Sequence, residues 1–125
     1  MKKVIFTEKA PAAIGPYSQA IEVNGFVFAS GQIPIDPATG EFVEGGIKEQ
    51  TRQALTNAAH IMAEAGIDLS HVVKTTGFLA DMADFAAMNE VYSTFFKEPF
   101  PARSAVAVKA LPKGALVEVE CVAVK

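Results

Sequence analysis

Apolar residues recur at two different spacings along the chain, and each spacing predicts a different kind of element. Alternation of apolar and polar positions, or enrichment in Val, Thr and Phe, predicts strands over residues 3–6, 72–80, 103–109 and 115–124. Two more segments, 17–23 and 26–30, flank Asn24-Gly25, a pair that favours a two-residue hairpin turn because both residues tolerate positive φ. The pattern therefore predicts six strands, two of which form a tight hairpin.

Two segments change to the three- and four-residue spacing of an amphipathic helix. The first covers residues 47–65, and Gly66 follows it as a residue that ends helices. The second covers residues 82–96, with Asp81 as its cap and a buried stripe made of Phe85, Met88, Val91, Tyr92 and Phe95. Residues 7–16 and 33–46, which are interrupted by Pro and Gly, are predicted to be loops.

This order of elements predicts an α+β fold with two helices packed on one face of a single sheet. No repeat, low-complexity tract or linker divides the 125 residues, so we expect one domain, 1–125. The other face of the sheet would be exposed in a single chain. Because half of the residues are hydrophobic, we expect another subunit to cover that face.

Composition and charge exclude several classes of protein. Hydrophobic residues make up 50% of the chain and charged residues 20%, which argues against disorder. The net charge is −3 and no basic run exceeds Lys2-Lys3, so we expect no nucleic-acid partner. The first residues do not resemble a signal peptide, and no apolar run is long enough to cross a bilayer. We therefore expect a cytoplasmic protein with no membrane association.

The common nucleotide, zinc and redox motifs are missing from the sequence. It contains no G-x-G-x-x-G, no Walker A, no H-E-x-x-H and no C-x-x-C. His60 and His71 have no second ligand-type residue at metal spacing, so we expect no metal site and a structural or surface role for both. The single Cys121 lies in an alternating strand, where a free cysteine usually acts as a small buried hydrophobe.

Three charged residues near the C-terminus are the candidates for chemistry. Glu118 and Glu120 interrupt an otherwise apolar strand face, and Arg103 stands alone among apolar residues at the start of the preceding predicted strand. One interpretation is a surface arginine, or an ion pair, beside carboxylates that protect a solvated edge strand. The other is a guanidinium that recognises a substrate carboxylate, with a half-buried glutamate that exchanges protons with water. The residue pattern alone leaves both open.

Six short motifs occur in a fixed order along nearly the whole chain. They are AIGPYSQ (13–19), SGQIP (30–34), VKTT (73–76), MN (88–89), FPARS (100–104) and LPKG (111–114) leading to VEVE (117–120). Each is weak alone, and Tyr17 or Ser30-Gly31 by itself is equally consistent with a core cap or a turn. The ordered set resembles the RidA/YjgF family of reactive-intermediate deaminases.

The resemblance implies both a fold and an activity. The fold would be similar to that of chorismate mutase, with a sheet backed by two helices, assembled as a homotrimer with pockets between subunits. The activity would be hydrolysis of enamines and imines, namely 2-aminoacrylate, 2-iminopropanoate and 2-iminobutanoate, to 2-keto acids and ammonia. The expected small-molecule partner is thus a 2-imino or 2-keto acid, and the family uses no cofactor.

The resemblance also assigns roles to residues at matching positions. Arg103 would hold the substrate carboxylate, and Glu118 would position and activate the attacking water. The pocket would also contain the phenol of Tyr17 and the other matching positions, which are Ser30, Gly31 and Asn89.

One position departs from the family pattern. Many members carry Cys two positions after the arginine, where this chain has Ala105. Only main-chain contacts with substrate are expected there, and the change could shift substrate preference. Two alternative functions remain, namely a regulatory module that binds a small carboxylate and a translation inhibitor with ribonuclease activity.

Overall fold

The computed structural model describes residues 1–125 and contains eight strands and two α-helices. Five strands precede the first helix: β1 (Lys3–Ile5), β2 (Ala20–Val23), β3 (Phe26–Gln32), β4 (Ile35–Asp36) and β5 (Glu41–Phe42). The remaining elements are α1 (Ile47–Glu64), β6 (Val72–Leu79), α2 (Phe85–Phe95), β7 (Ala102–Ala107) and β8 (Val117–Val124). All six predicted strands and both predicted helices are present.

Six strands form one sheet in the order β1-β2-β3-β8-β6-β7. All neighbours are antiparallel except β6 and β7, which are parallel and are joined through α2. Strands β7 and β8, which follow one another in the sequence, are therefore separated by β6. Strand β7 lies at the edge of the sheet, with one side unpaired.

The predicted turns and helix ends follow the local sequence. Asn24 and Gly25 have φ values of 50° and 80°, as the hairpin between β2 and β3 requires. Helix α1 ends before Gly66, whose φ is +83°. The Asp81 carboxylate accepts a hydrogen bond from the Ala83 amide (2.9 Å), so it is a cap as predicted. The cap begins a short 3₁₀ turn, Met82–Asp84, and α2 starts only after it.

The prediction of one long loop over residues 33–46 is wrong in part. Strands β4 and β5 pair within it as a separate two-stranded sheet. The buried Asn57 of α1 holds this hairpin, because its amide nitrogen donates to the carbonyl oxygens of Ile33 (3.2 Å) and Ile35 (2.9 Å). No strand-length apolar pattern marks the hairpin in the sequence.

Both helices pack on one face of the sheet, and the hydrophobic core lies between the helices and the sheet. The core contains 19 buried residues, including Val117, Val119, Cys121 and Ala123 on the inward face of β8. The opposite face, which we call the outer face, carries the alternate residues of each strand. Its apolar side chains are half exposed in the chain, for example Phe28 at 46% and Val106 at 46%. None of the helices is long and apolar enough to span a bilayer.

Candidate functional site

A pocket of about 680 Å³ opens beside the middle of the sheet. Its wall includes Glu118 and Glu120 from the outer face of β8, the end of β3 and part of the loop before β2. Three further residues to which the resemblance assigns a place in the site, Tyr17, Ser30 and Gly31, also line it. The chain thus brings four of the predicted site residues around one cavity.

Gly31 allows the Glu118 carboxylate to lie against the end of β3. The pairing of β3 with β8 is irregular between Ala29 and Gln32, so Ser30 and Gly31 leave the regular ladder. A Cβ atom added at Gly31 would lie 2.5 Å from Glu118 Oε2 and 2.8 Å from its Cδ. Because such contacts are far too short, any side chain at position 31 would displace the carboxylate.

The loop that carries Tyr17 is fastened to β3 by hydrogen bonds. Ser30 Oγ donates to the Ser18 carbonyl oxygen (2.6 Å), and the Ser30 amide donates to the Gln19 carbonyl oxygen (2.9 Å). The Ser30 hydroxyl hydrogen is therefore engaged within the chain, and only its oxygen can accept a further bond. The side chain of Tyr17 is 52% exposed, so its phenol faces the open pocket.

The environment of Glu118 disfavours its ionised form. Partial burial raises the pKa of Glu118 above its usual 4.5, and the nearby negative charge of Glu120 raises it further. Neither an arginine nor a lysine forms an ion pair with Glu118 within the chain. A carboxylate in this state can take up and release a proton closer to neutral pH than an exposed glutamate can.

Arg103 does not share this pocket. In the parallel pairing of β6 with β7, Arg103 lies opposite Thr75, and Thr75 lies opposite Cys121 of β8, which faces the core. Because Glu118 is three residues from Cys121, it faces the other side of the sheet. Within one chain, Arg103 and Glu118 are therefore on opposite faces.

Three side chains of helix α2 contact the Arg103 side chain. Its Nη1 donates a 2.6 Å hydrogen bond to Asn89 Oδ1. The guanidinium carbon also lies 4.8 Å from the centroid of the Tyr92 ring and 5.4 Å from that of Phe85. Asn89 therefore contacts Arg103 directly. From helical spacing alone, Phe85 and Tyr92 are indistinguishable from core residues, and nothing in the sequence shows that they meet a guanidinium.

Ala105 lies on the same face of β7 as Arg103 and is partly buried against the core. A Cβ atom at Gly77 of the neighbouring strand would lie 3.9 Å from its methyl group. Ala105 does not line the pocket that contains Glu118.

No three His, Cys, Asp or Glu side chains are close enough to hold a metal ion together.

Comparisons with known proteins identify the family. The family model described as Endoribonuclease L-PSP matches residues 7–125. A RutC family protein of Pyrococcus abyssi is 60% identical over 99% of this chain and 98% of its own length. A Mus musculus protein named 2-iminobutanoate/2-iminopropanoate deaminase is 52% identical over 100% of this chain and 93% of its own length. The chain belongs to the RidA/YjgF family.

Solved structures of RidA/YjgF proteins confirm the expected α+β fold. Escherichia coli TdcF, whose crystal structure contains bound serine, superposes with a TM-score of 0.93 at 44% identity and covers 98% of both chains. The sheet backed by two helices, expected from the resemblance to the RidA/YjgF family, is therefore the fold of this chain.

Proposed function

We propose that the protein is a hydrolytic deaminase that converts small 2-imino acids, and the enamines that tautomerise to them, to 2-keto acids and ammonia. The observation that carries the proposal is that Arg103 is held in place by α2 and yet has no acidic partner in its chain. A fixed guanidinium with free N–H groups suits a substrate carboxylate. The name of the mouse relative and the serine bound to TdcF support a small substrate of the amino-acid type.

The complete site is formed between two chains of a homotrimer. One chain contributes the pocket that contains Glu118, Tyr17, Ser30 and Gly31, and its neighbour contributes Arg103. Two features support this assembly. The outer face carries half-exposed apolar side chains, and β7, which carries Arg103, is an edge strand that a neighbouring chain can approach.

The reaction needs a guanidinium, a glutamate and a water molecule, and it forms no covalent bond between the protein and the substrate. Arg103 binds the substrate carboxylate and holds the C=N carbon near Glu118. Glu118 accepts a proton from water while the water oxygen attacks the carbon of the protonated imine, which gives a neutral tetrahedral carbinolamine. The protonated Glu118 then gives this proton to nitrogen. As the C–N bond breaks, the hydroxyl oxygen forms the new C=O bond and its proton passes to Glu118, which leaves ammonia and a 2-keto acid; Glu118 then releases the proton to ammonia or solvent. The Tyr17 phenol is placed to hydrogen-bond the substrate or the water.

A coupled assay tests the function. A serine dehydratase generates 2-aminoacrylate in situ, and pyruvate formation is followed with and without the protein. The wild-type protein is expected to accelerate pyruvate release, and Arg103→Ala should abolish the acceleration because the carboxylate loses its binding partner. Arg52→Ala is the matched control, since Arg52 is the only other arginine and is exposed on α1.

Two results would contradict the proposal. No acceleration by the wild-type protein would exclude the deaminase, and binding of pyruvate without acceleration would favour a regulatory carboxylate-binding module instead. An Arg103→Ala variant as fast as the wild type would remove the proposed role of the guanidinium.

Ribonuclease activity is a second candidate because the family model is described as an endoribonuclease. The pocket offers it little support. Its charged wall residues are Glu118, Glu120 and a single Lys113, no histidine lines it, and the net charge of the chain is −3. RNA cleavage that co-purifies with the protein and survives Arg103→Ala would favour this activity over the deaminase.

A further inference from the structure

Three side chains on one stripe of α2 surround the guanidinium of Arg103. Phe85, Asn89 and Tyr92 are spaced by four and three residues, so they lie on the same face of the helix. The two rings lie 5.4 and 4.8 Å from the guanidinium carbon, and Asn89 accepts a hydrogen bond from one terminal nitrogen. One face of α2 thus supplies two aromatic rings and one carbonyl oxygen to a single cation.

Tyr92 is itself held by its hydroxyl and by its ring. Its hydroxyl oxygen lies 2.8 Å from Thr75 Oγ1, and both residues are buried. Thr75 lies directly opposite Arg103 in the pairing of β6 with β7, so Tyr92 spans two neighbouring strands. The ring of Phe96 also packs against Tyr92, with the centroids 4.5 Å apart. The orientation of the Tyr92 ring is therefore fixed independently of Arg103.

The kind of contact decides which donors of Arg103 stay free. An aromatic ring attracts a cation through its face, whereas the five N–H groups of a guanidinium point outwards in its own plane. Asn89 uses one of these N–H groups. A carboxylate partner would occupy the fork of donors that a substrate needs, but the rings orient the guanidinium and leave that fork open.

We propose that Tyr92 is a positioning residue, which holds the guanidinium of Arg103 in the orientation that presents its free N–H groups to a substrate carboxylate. The identity of the ligand rests on the proposed function, whereas the positioning is a property of the chain alone. A tyrosine that only filled the core would need a hydroxyl partner such as Thr75, but it would not need the ring contact with Arg103.

NMR spectroscopy tests the positioning without any ligand. Labelling with ¹⁵N-arginine gives two guanidinium groups, and the exposed Arg52 is an internal reference for Arg103. In the wild type, the Arg103 Nε–H proton should be shifted upfield by the ring, and rotation of its terminal nitrogens should be slower than in Arg52. Tyr92→Phe, which keeps the ring, should retain most of this difference, and Tyr92→Leu should lose most of it, although the contacts of Arg103 with Phe85 and Asn89 remain.

Binding and kinetics separate positioning from general support of the core. Tyr92→Leu should raise the Kd for 2-oxobutanoate and the KM for the imine about tenfold, with kcat changed by less than about threefold. Tyr92→Phe should change the Kd by about threefold at most. The matched control is Phe95→Leu, the same type of change on the same helix, partly buried and without contact to Arg103. Phe95→Leu should leave Kd and KM unchanged within about twofold, even if its Tm falls as far as that of Tyr92→Leu.

Three outcomes separate this inference from the proposed function. Positioning by Tyr92 would be overturned if the Arg103 guanidinium of the wild type were as mobile as that of Arg52. It would also be overturned if the shift and mobility of Arg103 were the same in Tyr92→Leu as in the wild type. Equal weakening of 2-oxobutanoate binding by Tyr92→Leu and Phe95→Leu would also overturn it. If the NMR result holds but the wild type neither binds 2-oxobutanoate nor hydrolyses imines, the positioning stands and the deaminase function fails.

Discussion

At the scale of single residues, the absence of a side chain at Gly31 is what places the Glu118 carboxylate. A methyl group at position 31 would overlap the carboxylate at 2.5 Å, and Gly31 does not have the positive φ that would by itself strain an alanine. Gly31→Ala should therefore lower kcat/KM for imine hydrolysis about a hundredfold by moving Glu118, with a Tm loss of only a few degrees.

A matched glycine provides the control for this substitution. Gly46→Ala adds the same methyl group where no atom lies within 4 Å, so imine hydrolysis should stay near the wild-type rate. If Gly31→Ala were as active as Gly46→Ala, the position of the carboxylate against β3 would not matter for catalysis.

The raised pKa of Glu118 predicts opposite effects on activity and stability. Because a protonated carboxyl group cannot accept a proton from water, the hydrolysis rate should fall as the pH drops through the raised pKa. For a group whose pKa is higher in the folded state, the stabilising contribution is present below the unfolded pKa, near 4.5, and is lost as the pH rises through the folded pKa. Glu118→Gln should therefore raise Tm at pH 7, give no gain at pH 4, and abolish activity.

Thermal unfolding at both pH values checks the stability effect. Glu120→Gln is the comparison, since it removes the nearby negative charge and should shift the pH–rate profile of the intact Glu118 to lower pH. A fall in Tm for Glu118→Gln at pH 7 would mean that the ionised carboxylate stabilises the protein and that its pKa is not raised.

At the scale of elements, one buried glutamine organises the segment before β2. Gln19 Oε1 accepts from the Thr7 amide (2.8 Å), and its amide nitrogen lies 3.0 Å from the Thr7 and 2.8 Å from the Pro11 carbonyl oxygen. Gln19→Leu would leave these backbone groups without partners, so it should cost about 2–4 kcal/mol of stability in urea unfolding. Thr56→Val keeps a β-branched side chain on α1 and removes only the exposed hydrogen bond that the Thr56 hydroxyl donates to the Arg52 carbonyl oxygen (2.7 Å), so it should cost less than about 1 kcal/mol.

Hydrogen exchange locates the effect of Gln19→Leu. The Thr7 amide should lose its protection from exchange while the amides of α1 keep theirs, because the hydrogen bonds of the Gln19 side chain hold only the segment that carries Tyr17. Equal costs for Gln19→Leu and Thr56→Val would show that the hydrogen bonds of Gln19 do not hold this segment.

Most of the elements could be predicted from the sequence, because apolar spacing and turn residues are local signals. Alternation correctly separated the two faces of β8, with Glu118 opposite to Cys121. Strand order is not a local signal, so nothing in the sequence indicated that β6 lies between β7 and β8. The crossing of α2 over β7, which brings Tyr92 to Arg103, depends on that order and was equally hidden.

The candidate site was identified largely through resemblance. Residue patterns alone leave both a structural and a catalytic interpretation open for Arg103 and Glu118. Within one chain, Arg103 and Glu118 lie on opposite faces of the sheet. They can share a site only if it is formed by two chains, and the sequence of one chain carries no signal for such an arrangement.

At the scale of the whole molecule, the apolar outer face predicts assembly. We expect a mass in solution of about three times the 13.2 kDa of one chain. Phe28→Glu should reduce it to that of a single chain, because a carboxylate that replaces an apolar ring on the outer face is costly to bury against another chain. Met82→Glu, on a turn beside α2, should leave the mass unchanged, and light scattering distinguishes the outcomes. A trimer that survives Phe28→Glu would mean that the outer face is not the interface.

Mixing two inactive variants tests most directly whether one site takes Arg103 from one chain and Glu118 from its neighbour. Arg103→Ala and Glu118→Gln are unfolded together in equal amounts and refolded, and imine hydrolysis is measured in the mixed trimers. If each site draws its arginine and its glutamate from different chains, about a quarter of the sites regain both groups and about a quarter of the wild-type activity returns. If activity stays at the level of the two variants refolded separately, the two residues do not form a site across chains, and the account is contradicted.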